Sequence, residues 1–379
     1  MNFGLFANSP YFITFRLLHF ILNYDIIFNK LLTTDWGIIA LAEAQNMSMA
    51  LSFDPFILTT GVFEPGTAAA RCESETDKNR NQLAKAELSY YTGNTAAANA
   101  AFRALTQSDS YEVSIAATLG NAISSLSGEN VFEIIKLYNS IKTLDVLFPA
   151  DSDIKKMTDA VMLYFNILLH NFSEIRFPPT GLNAFNLPDS LKPIAFYAYT
   201  HYLIEAGDIG RAVGMAEGAL VFMEKPCPIS EIYLSLTICR GYMLRKIWDK
   251  AEYYFRYAWA QAAPDGLIMP FVEYRGMLSG MLEKCIRYEE SAQYKRILEL
   301  SNRFHSSWVT VHNELTGEKI SDALTAIEFN VASLASKGCS NNEIADLLGI
   351  TVNSVRAHLR NIFNKLGIDS RKELYKFVI

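Results

Sequence analysis

The strongest constraint on the fold comes from residues 324–379, where polar and small residues mark the ends of four short helices. A Ser or Thr followed three residues later by Glu satisfies the first amide groups of a helix reciprocally, and this capping-box pattern occurs at Thr325, Ser340 and Ser370. Thr351 can cap a further helix through its hydroxyl. Glycine, which enters the left-handed conformation without strain, follows the first three predicted helices at Gly338, Gly349 and Gly367. The stretch therefore predicts a compact four-helix unit.

The second and third helices of this unit are joined by Gly349-Ile350-Thr351, which has the spacing of a helix-turn-helix. Apolar residues recur along one face of the third helix and are expected in the core: Val355, Leu359, Ile362, Phe363 and Leu366. The opposite face is slim and polar: Asn353, Arg356, Ala357, Arg360, Asn361 and Asn364. Arg can bridge guanine, Asn can bridge adenine, and Ala can touch a thymine methyl. The pattern predicts a recognition helix for the DNA major groove.

Several short motifs in this run occur in the order seen in a known family: Leu324-Thr325 with Glu328, then 338–341, 343–345, 351–358 and 365–368, and Arg371. The run resembles the C-terminal DNA-binding domain of LuxR/FixJ-type transcription regulators. Two positions depart from the family pattern, because Ala326-Ile327 replaces a frequent Pro-Arg and Ser354 replaces Thr. The missing Arg removes one possible phosphate contact.

The resemblance, together with the face described above, assigns roles to individual residues. Arg356 and Arg360 are expected at base edges, with Asn353 and Ala357 in neighbouring contacts. The expected phosphate contacts are Asn341, Ser354, His358 and Lys365, and further DNA-contact candidates are Thr351, Asn361 and Asn364. In the family the fourth helix often helps dimerisation, which would place Leu374, Phe377 and Val378 at a dimer interface.

Residues 77–305 read as one helix after another, rich in Ala, Leu and Tyr. Three segments share small residues and aromatics at equivalent spacing, with Ala98, Ala212 and Ala251 in matching positions. Two degenerate units are expected between them, at 131–148 and 159–172. A helix pair too small to bury its own apolar face stacks on its neighbours. The chain is therefore predicted to be all-α, with a tetratricopeptide-like helical array ahead of the helix-turn-helix domain.

The repeat region resembles the tetratricopeptide-like sensor region of MalT-type activators, above all over residues 258–274. Full-size members carry a nucleotide-binding domain, but this sequence contains no G-x-x-x-x-G-K-[S/T] loop. A nucleotide switch is not predicted. Concave repeat surfaces suit peptides or small ligands. The many aromatic residues here are better explained as core, so no ligand residue is named.

The remaining boundaries follow from composition. Residues 1–76 form an apolar, helix-prone N-terminal segment, residues 306–320 a polar linker, and residues 321–379 the terminal domain. Charged and polar residues interrupt the first 32 residues, so no apolar run reaches the ~18 residues expected of a membrane span. The five scattered cysteines favour a reducing, cytoplasmic location.

Charge and chemistry narrow the function further. The net charge of −6 argues against indiscriminate nucleic-acid binding, although residues 321–379 carry seven basic and six acidic side chains. The sequence shows no metal-binding or nucleophile motif, so neither an enzyme nor a cofactor is predicted.

Two functions remain open. One is a sequence-specific regulator that senses a small-molecule or protein effector on its repeats and binds double-stranded DNA as a homodimer. The alternative is a protein-interaction scaffold with a docking module that does not bind DNA.

Overall fold

The computed structural model describes residues 56–127, 131–147, 153–175, 192–278, 280–317 and 323–378. Every regular element in those ranges is a helix, which confirms the all-α prediction. Most of the predicted apolar N-terminal segment, residues 1–55, lies outside the described residues. None of the described helices is long and apolar enough to span a membrane.

Ten α-helices form the first part of the array. They are α1 Ala68–Glu73, α2 Lys78–Tyr91, α3 Thr95–Leu105, α4 Tyr111–Ser125, α5 Val131–Leu147, α6 Asp153–Leu168, α7 Lys192–Glu205, α8 Ile209–Phe222, α9 Pro228–Leu244 and α10 Trp248–Ala262. Each helix from α2 to α9 packs against the next one in the chain, which is the arrangement expected of stacked helix pairs.

Small residues let these helices approach closely. Ala98 in α3, Ala212 in α8 and Ala251 in α10 are all completely buried. Gly120 in α4 lies against Phe102, because a Cβ at this position would come within 2.5 Å of the phenylalanine ring. The alternation of small and aromatic residues therefore sets the spacing between neighbouring helices.

The prediction of two degenerate repeat units at 131–148 and 159–172 was wrong, because neither stretch forms a helix pair. Residues 131–147 form the single helix α5, and residues 153–168 form the single helix α6, followed by a 3₁₀ turn at Phe172–Glu174. Neither helix contains the internal glycine or proline that would divide it into two. The two helices pack on each other.

Four further helices close the array: α11 Met269–Glu273, α12 Arg275–Leu278, α13 Met281–Ile286 and α14 Ser291–Thr316. Helix α14 returns along the array and is fastened to the end of α6. The indole Nε1 of Trp308 donates to the Leu168 carbonyl at 2.7 Å, and the Nδ1 of His312 lies 2.7 Å from the Leu169 carbonyl oxygen.

The predicted linker therefore begins too early. Residues 306–316 belong to α14, and Trp308, Val309 and Val311 are buried. Several polar residues suggested a junction, but Thr310 and Glu314 lie on the exposed face of an amphipathic helix, while Ser307 and His312 are buried. Gly317, in the left-handed conformation, ends the helix.

The terminal domain consists of α15 Ala326–Ser336, α16 Asn341–Leu348, α17 Val352–Leu366 and a 3₁₀ helix at Arg371–Lys376. It packs on the array through α15, which contacts α12 and α14, and through α16, which contacts α13.

Candidate DNA-binding surface

Two capping boxes position the helices of the terminal domain. The Thr325 amide donates to Glu328 Oε2 at 2.9 Å, and the Glu328 amide donates back to Thr325 Oγ1 at 3.4 Å. The same reciprocal pair joins Ser340 and Glu343, at 2.6 and 3.2 Å. The hydrogen bonds from the Ser340 amide and hydroxyl hold the pKa of Glu343 below its usual range. Both predicted helix starts are confirmed.

The predicted turn between α16 and α17 is formed. Gly349 adopts φ +61, where a side chain would be strained, and its amide donates to the Ala345 carbonyl at the end of α16. Two residues on, Thr351 Oγ1 accepts from the Ser354 amide at 3.1 Å and starts α17. This turn fixes the direction of α17 relative to α16.

The predicted inner face of α17 is in the core. Val355, Leu359 and Ile362 are buried, and Phe363 and Leu366 are partly buried against the same cluster. This anchoring aims the other face of the helix outward. Asn353, Arg356, Arg360, Asn361 and Asn364 are all exposed, and Ala357 and His358 are half-buried at the flanks.

An open groove runs along this outward face. It is lined by Asn341 from α16, by Arg356, Arg360 and Asn364 from α17, and by Ile368 and Asp369 after the helix. The Nη1 of Arg356 donates to Asn353 Oδ1 at 3.2 Å. Asp369 is an exposed acid at the edge that sequence reasoning did not single out. The structure thus brings the two predicted base-reading arginines together in one accessible groove.

Lys365 differs from its predicted role as a free phosphate contact. Its Nζ donates to the Ala323 carbonyl at 3.1 Å and lies 2.6 Å from Glu328 Oε2. Burial raises the pKa of Glu328, but the Lys365 ammonium and the Thr325 hydrogen bonds outweigh burial and hold that pKa below its usual range. Lys365 therefore joins α17 to the start of α15.

Arg371 has a structural role that the sequence motif did not reveal. Its Nε donates to the Ala335 carbonyl at 3.2 Å, its Nη2 donates to the Cys339 carbonyl, and its Nη1 donates to Asn341 Oδ1 at 3.0 Å. One guanidinium thus clamps the junction between α15 and α16. It also orients Asn341, a predicted phosphate contact, at the start of α16.

The fourth helix departs from prediction in two respects. Residues 371–376 form a 3₁₀ helix, and Ser370 Oγ accepts from the Lys372 amide instead of completing a capping box with Glu373. So short a segment gains little α-helical cooperativity, and i→i+3 bonds tighten it.

The predicted dimer contacts are corrected in the same segment. Leu374 is fully buried and Val378 is 7% exposed, because both pack into the core of their own domain. Phe377 is partly buried against that core. Tyr375, not singled out from the sequence, is 67% exposed. Leu374 and Val378 therefore have no free surface for a second subunit.

The side of the domain away from α17 rests on the helical array. The rings of Phe329 in α15 and His305 in α14 lie 4.6 Å apart. A Cβ added at Gly280 would lie 2.8 Å from both the Cβ and the carbonyl oxygen of Leu347, so α16 touches the array backbone directly. At the rim, Lys246 donates to the Gly338 carbonyl at 3.0 Å. The array holds the two supporting helices and leaves α17 uncovered.

Comparisons with known proteins find a family match and several relatives for this part of the chain. The family "Bacterial regulatory proteins, luxR family" matches residues 322–378. The transcriptional activator protein AnoR of Acinetobacter nosocomialis is 28% identical over 130 residues, which cover 34% of this chain and 52% of that protein. The transcriptional regulatory protein MctR of Rhizobium johnstonii is 38% identical over 72 residues, 18% of this chain and 34% of that protein.

A third relative is the HTH-type transcriptional regulator MalT of Yersinia pestis, 28% identical over 95 residues, which cover 22% of this chain and 10% of that protein. The chain thus spans about half the length or less of these relatives. No solved structure matches the chain. The family match covers the part of the chain that contains both capping boxes, the turn at Gly349 and the exposed face of α17. The C-terminal domain, residues 322–378, therefore belongs to the luxR family of helix-turn-helix domains.

Proposed function

We propose that the chain is a transcription regulator that binds double-stranded DNA by placing α17 in the major groove. The observation that carries this proposal is the groove in which Arg356 and Arg360 lie side by side and exposed, on a helix anchored from behind by Val355, Leu359 and Ile362. Side chains on such a helix reach base edges, while the N-terminus of α16, with Asn341, faces the phosphate backbone.

The helical array is proposed to sense an effector and pass its state to the terminal domain through α15 and α16. The direct contact between array and domain supports this role, since a ligand that favours one arrangement of this contact shifts the population of DNA-binding states. Binding as a homodimer on paired half-sites is part of the proposal. Its interface would use exposed residues such as Tyr375, because Leu374 and Val378 are buried.

The test is selection of a binding motif by the full chain from a random duplex library at two salt concentrations. The parent is expected to enrich one short motif and to bind it more weakly at higher salt. The double variant R356A/R360A should lose this enrichment. The matched control is K78A/K225A, which removes the same charge from exposed positions of the array.

The outcomes separate the two candidate functions. Enrichment by the parent and the control, but not by R356A/R360A, supports the regulator. If neither the parent nor the control enriches a motif, the scaffold hypothesis takes its place. If R356A/R360A keeps the parent motif, α17 is not the recognition helix.

A further inference from the structure

The turn between α9 and α10 of the array carries two cations next to the terminal domain. Lys246 Nζ donates to the carbonyl of Gly338 at 3.0 Å, and Gly338 lies three residues before Asn341, which lines the DNA groove. Arg245, directly before Lys246, is exposed. The array therefore presents positive charge beside the N-terminus of α16.

This turn differs from two related turns of the array. The same pair of backbone hydrogen bonds closes the turns after α2, α7 and α9, and each contains one residue with a positive φ. That residue is Gly93 after α2 and Gly207 after α7, because glycine enters this conformation without strain. After α9 it is Lys246, with φ +58. His170, after α6, is a second exception, but it is buried, whereas Lys246 is exposed.

The backbone of the turn after α9 thus favours glycine, and what Lys246 adds is its charged side chain. That side chain is 44% exposed, and its Nζ lies 3.8 Å from Oε1 of Glu343. An exposed pair at this distance is weak, so the ammonium stays available to a second anion. Lys365 differs, because its Nζ lies 2.6 Å from the buried carboxylate of Glu328.

The surroundings of Cys339, one residue after Gly338, report the local charge. Burial raises the pKa of the Cys339 thiol, and the charges that also act on it come from one acid, Glu343, and three cations, Lys246, Lys337 and Arg371. The positive end of the α16 dipole lies at the same place. This corner of the molecule is therefore electropositive, although the whole chain carries a net charge of −6.

The docking geometry of a helix-turn-helix places this corner beside DNA. The second helix of such a unit lies in the major groove, and the first crosses the phosphate backbone. With α17 in the groove, the backbone passes the N-terminus of α16 at Asn341. Because Lys246 reaches the residues just before that N-terminus, the turn after α9 lies along the same strand.

We propose that Arg245 and Lys246 form a contact surface for the DNA phosphate backbone, so that the helical array itself takes part in DNA binding. The inference rests on the proposed function, because the position of the phosphates follows from seating α17 in the major groove. Contacts to phosphates add affinity without base preference. They also favour DNA binding by the docked arrangement, since a terminal domain that moves away from the array leaves both cations behind.

The test measures the affinity of the full chain for its selected motif at several salt concentrations. The variant R245A/K246G removes both side chains, and its glycine fits the left-handed turn without strain. Each lost phosphate contact lowers the slope of log affinity against log salt by roughly 0.9. Between about 50 and 200 mM salt, the affinity of the variant should therefore fall about tenfold less than that of the parent. The selected motif should stay the same.

Two further variants are the controls. K78A/K225A removes the same charge from exposed positions elsewhere on the array, so it should keep the parental salt slope. R245K/K246R keeps both charges in the turn and should also keep that slope. The combination of a reduced slope in R245A/K246G and parental slopes in both controls supports the proposed contact.

Three outcomes would overturn it. One is a parental salt slope in R245A/K246G with parental affinity. The second is weaker binding with a parental slope, which would mean that Lys246 only braces Gly338 and does not contact a phosphate. The third is an equal loss of slope in K78A/K225A, which would assign the effect to overall charge. Failure of the proposed function shows separately, as a parent chain that selects no motif or as R356A/R360A keeping the parental motif.

Discussion

The two sides of the terminal domain have opposite surroundings. On one side, α15 and α16 lie against the array, with Phe329 next to His305 and Leu347 against the backbone at Gly280. On the other side, α17 exposes Arg356 and Arg360 in an open groove. The contrast shows that the array can hold the domain by its supporting helices without covering the helix proposed to read DNA. Regulation through this contact would act on the position of the domain and not by blocking α17.

The largest effect is expected on the exposed side. Arg356→Ala and Arg360→Ala should each weaken binding to the selected motif by about 1–3 kcal/mol and relax preference at one base position, because each removes a base-edge contact. Neither should change the free energy of unfolding by more than about 0.5 kcal/mol, since both side chains are exposed. Binding isotherms measure the loss of DNA affinity, and urea unfolding measures the free energy of unfolding. A variant that loses stability and keeps its base preference would show that the arginine supports the fold and does not contact a base.

The covered side is tested at Gly280. Gly280→Ala places a Cβ 2.8 Å from Leu347 at a φ of +89, so we expect it to destabilise the docked domain by about 1–3 kcal/mol through overpacking and backbone strain. Gly207→Ala is the matched control, because Gly207 has φ +82 but nothing within 4 Å of an added Cβ. Urea unfolding measures both. Equal losses of stability would show that strain alone, and not the contact with Leu347, accounts for the effect.

Beneath the covered side, Glu273 in α11 makes the stability dependent on pH. Its carboxylate accepts from Tyr90 Oη at 2.6 Å and Tyr233 Oη at 2.8 Å. Burial raises its pKa from 4.5 to about 7. A raised carboxyl pKa stabilises the fold below pH 4.5, and this contribution is lost as pH rises through 7.

Glu273→Gln should therefore gain stability relative to the parent between pH 4.5 and pH 8, by on the order of 1–3 kcal/mol. Urea unfolding at several pH values measures this difference. The control is Glu217→Gln, because Glu217 also accepts from two tyrosine hydroxyls, those of Tyr242 and Tyr254, but is only partly buried. A difference between parent and Glu273→Gln that does not change with pH would contradict the raised pKa.

The smallest effect is expected at Lys365, which sequence reasoning placed on the DNA side and the structure joins to α15. Lys365→Met should lower the free energy of unfolding by about 1 kcal/mol, because the buried Glu328 loses its ammonium partner and the ion pair is partly exposed. The salt dependence of DNA binding should stay close to the parent value. If the slope of log affinity against log salt falls by about one in Lys365→Met, Lys365 does contact a phosphate, as the sequence predicted.

The helix ends of the terminal domain could be predicted because they depend on local chemistry. Thr325, Ser340 and Thr351 each cap a helix with a hydroxyl that accepts from the amide three residues later in the chain. Ser370 carries the same local pattern, but the burial of Leu374 against α15 and the short length of the segment favour a 3₁₀ turn. Local pattern also failed at the linker, because polar residues on the outer face of α14 suggested a loop.

The sequence by itself determined the helical class, the helix-turn-helix and which face of α17 is polar, because periodicity and capping act over a few neighbouring residues. Only the tertiary structure decided that Lys365 and Arg371 brace the domain, that Leu374 and Val378 are in its core, and that Lys246 of the array reaches Gly338 before α16. Those residues lie far apart in the chain, and their meeting depends on how whole helices pack, which no local pattern specifies.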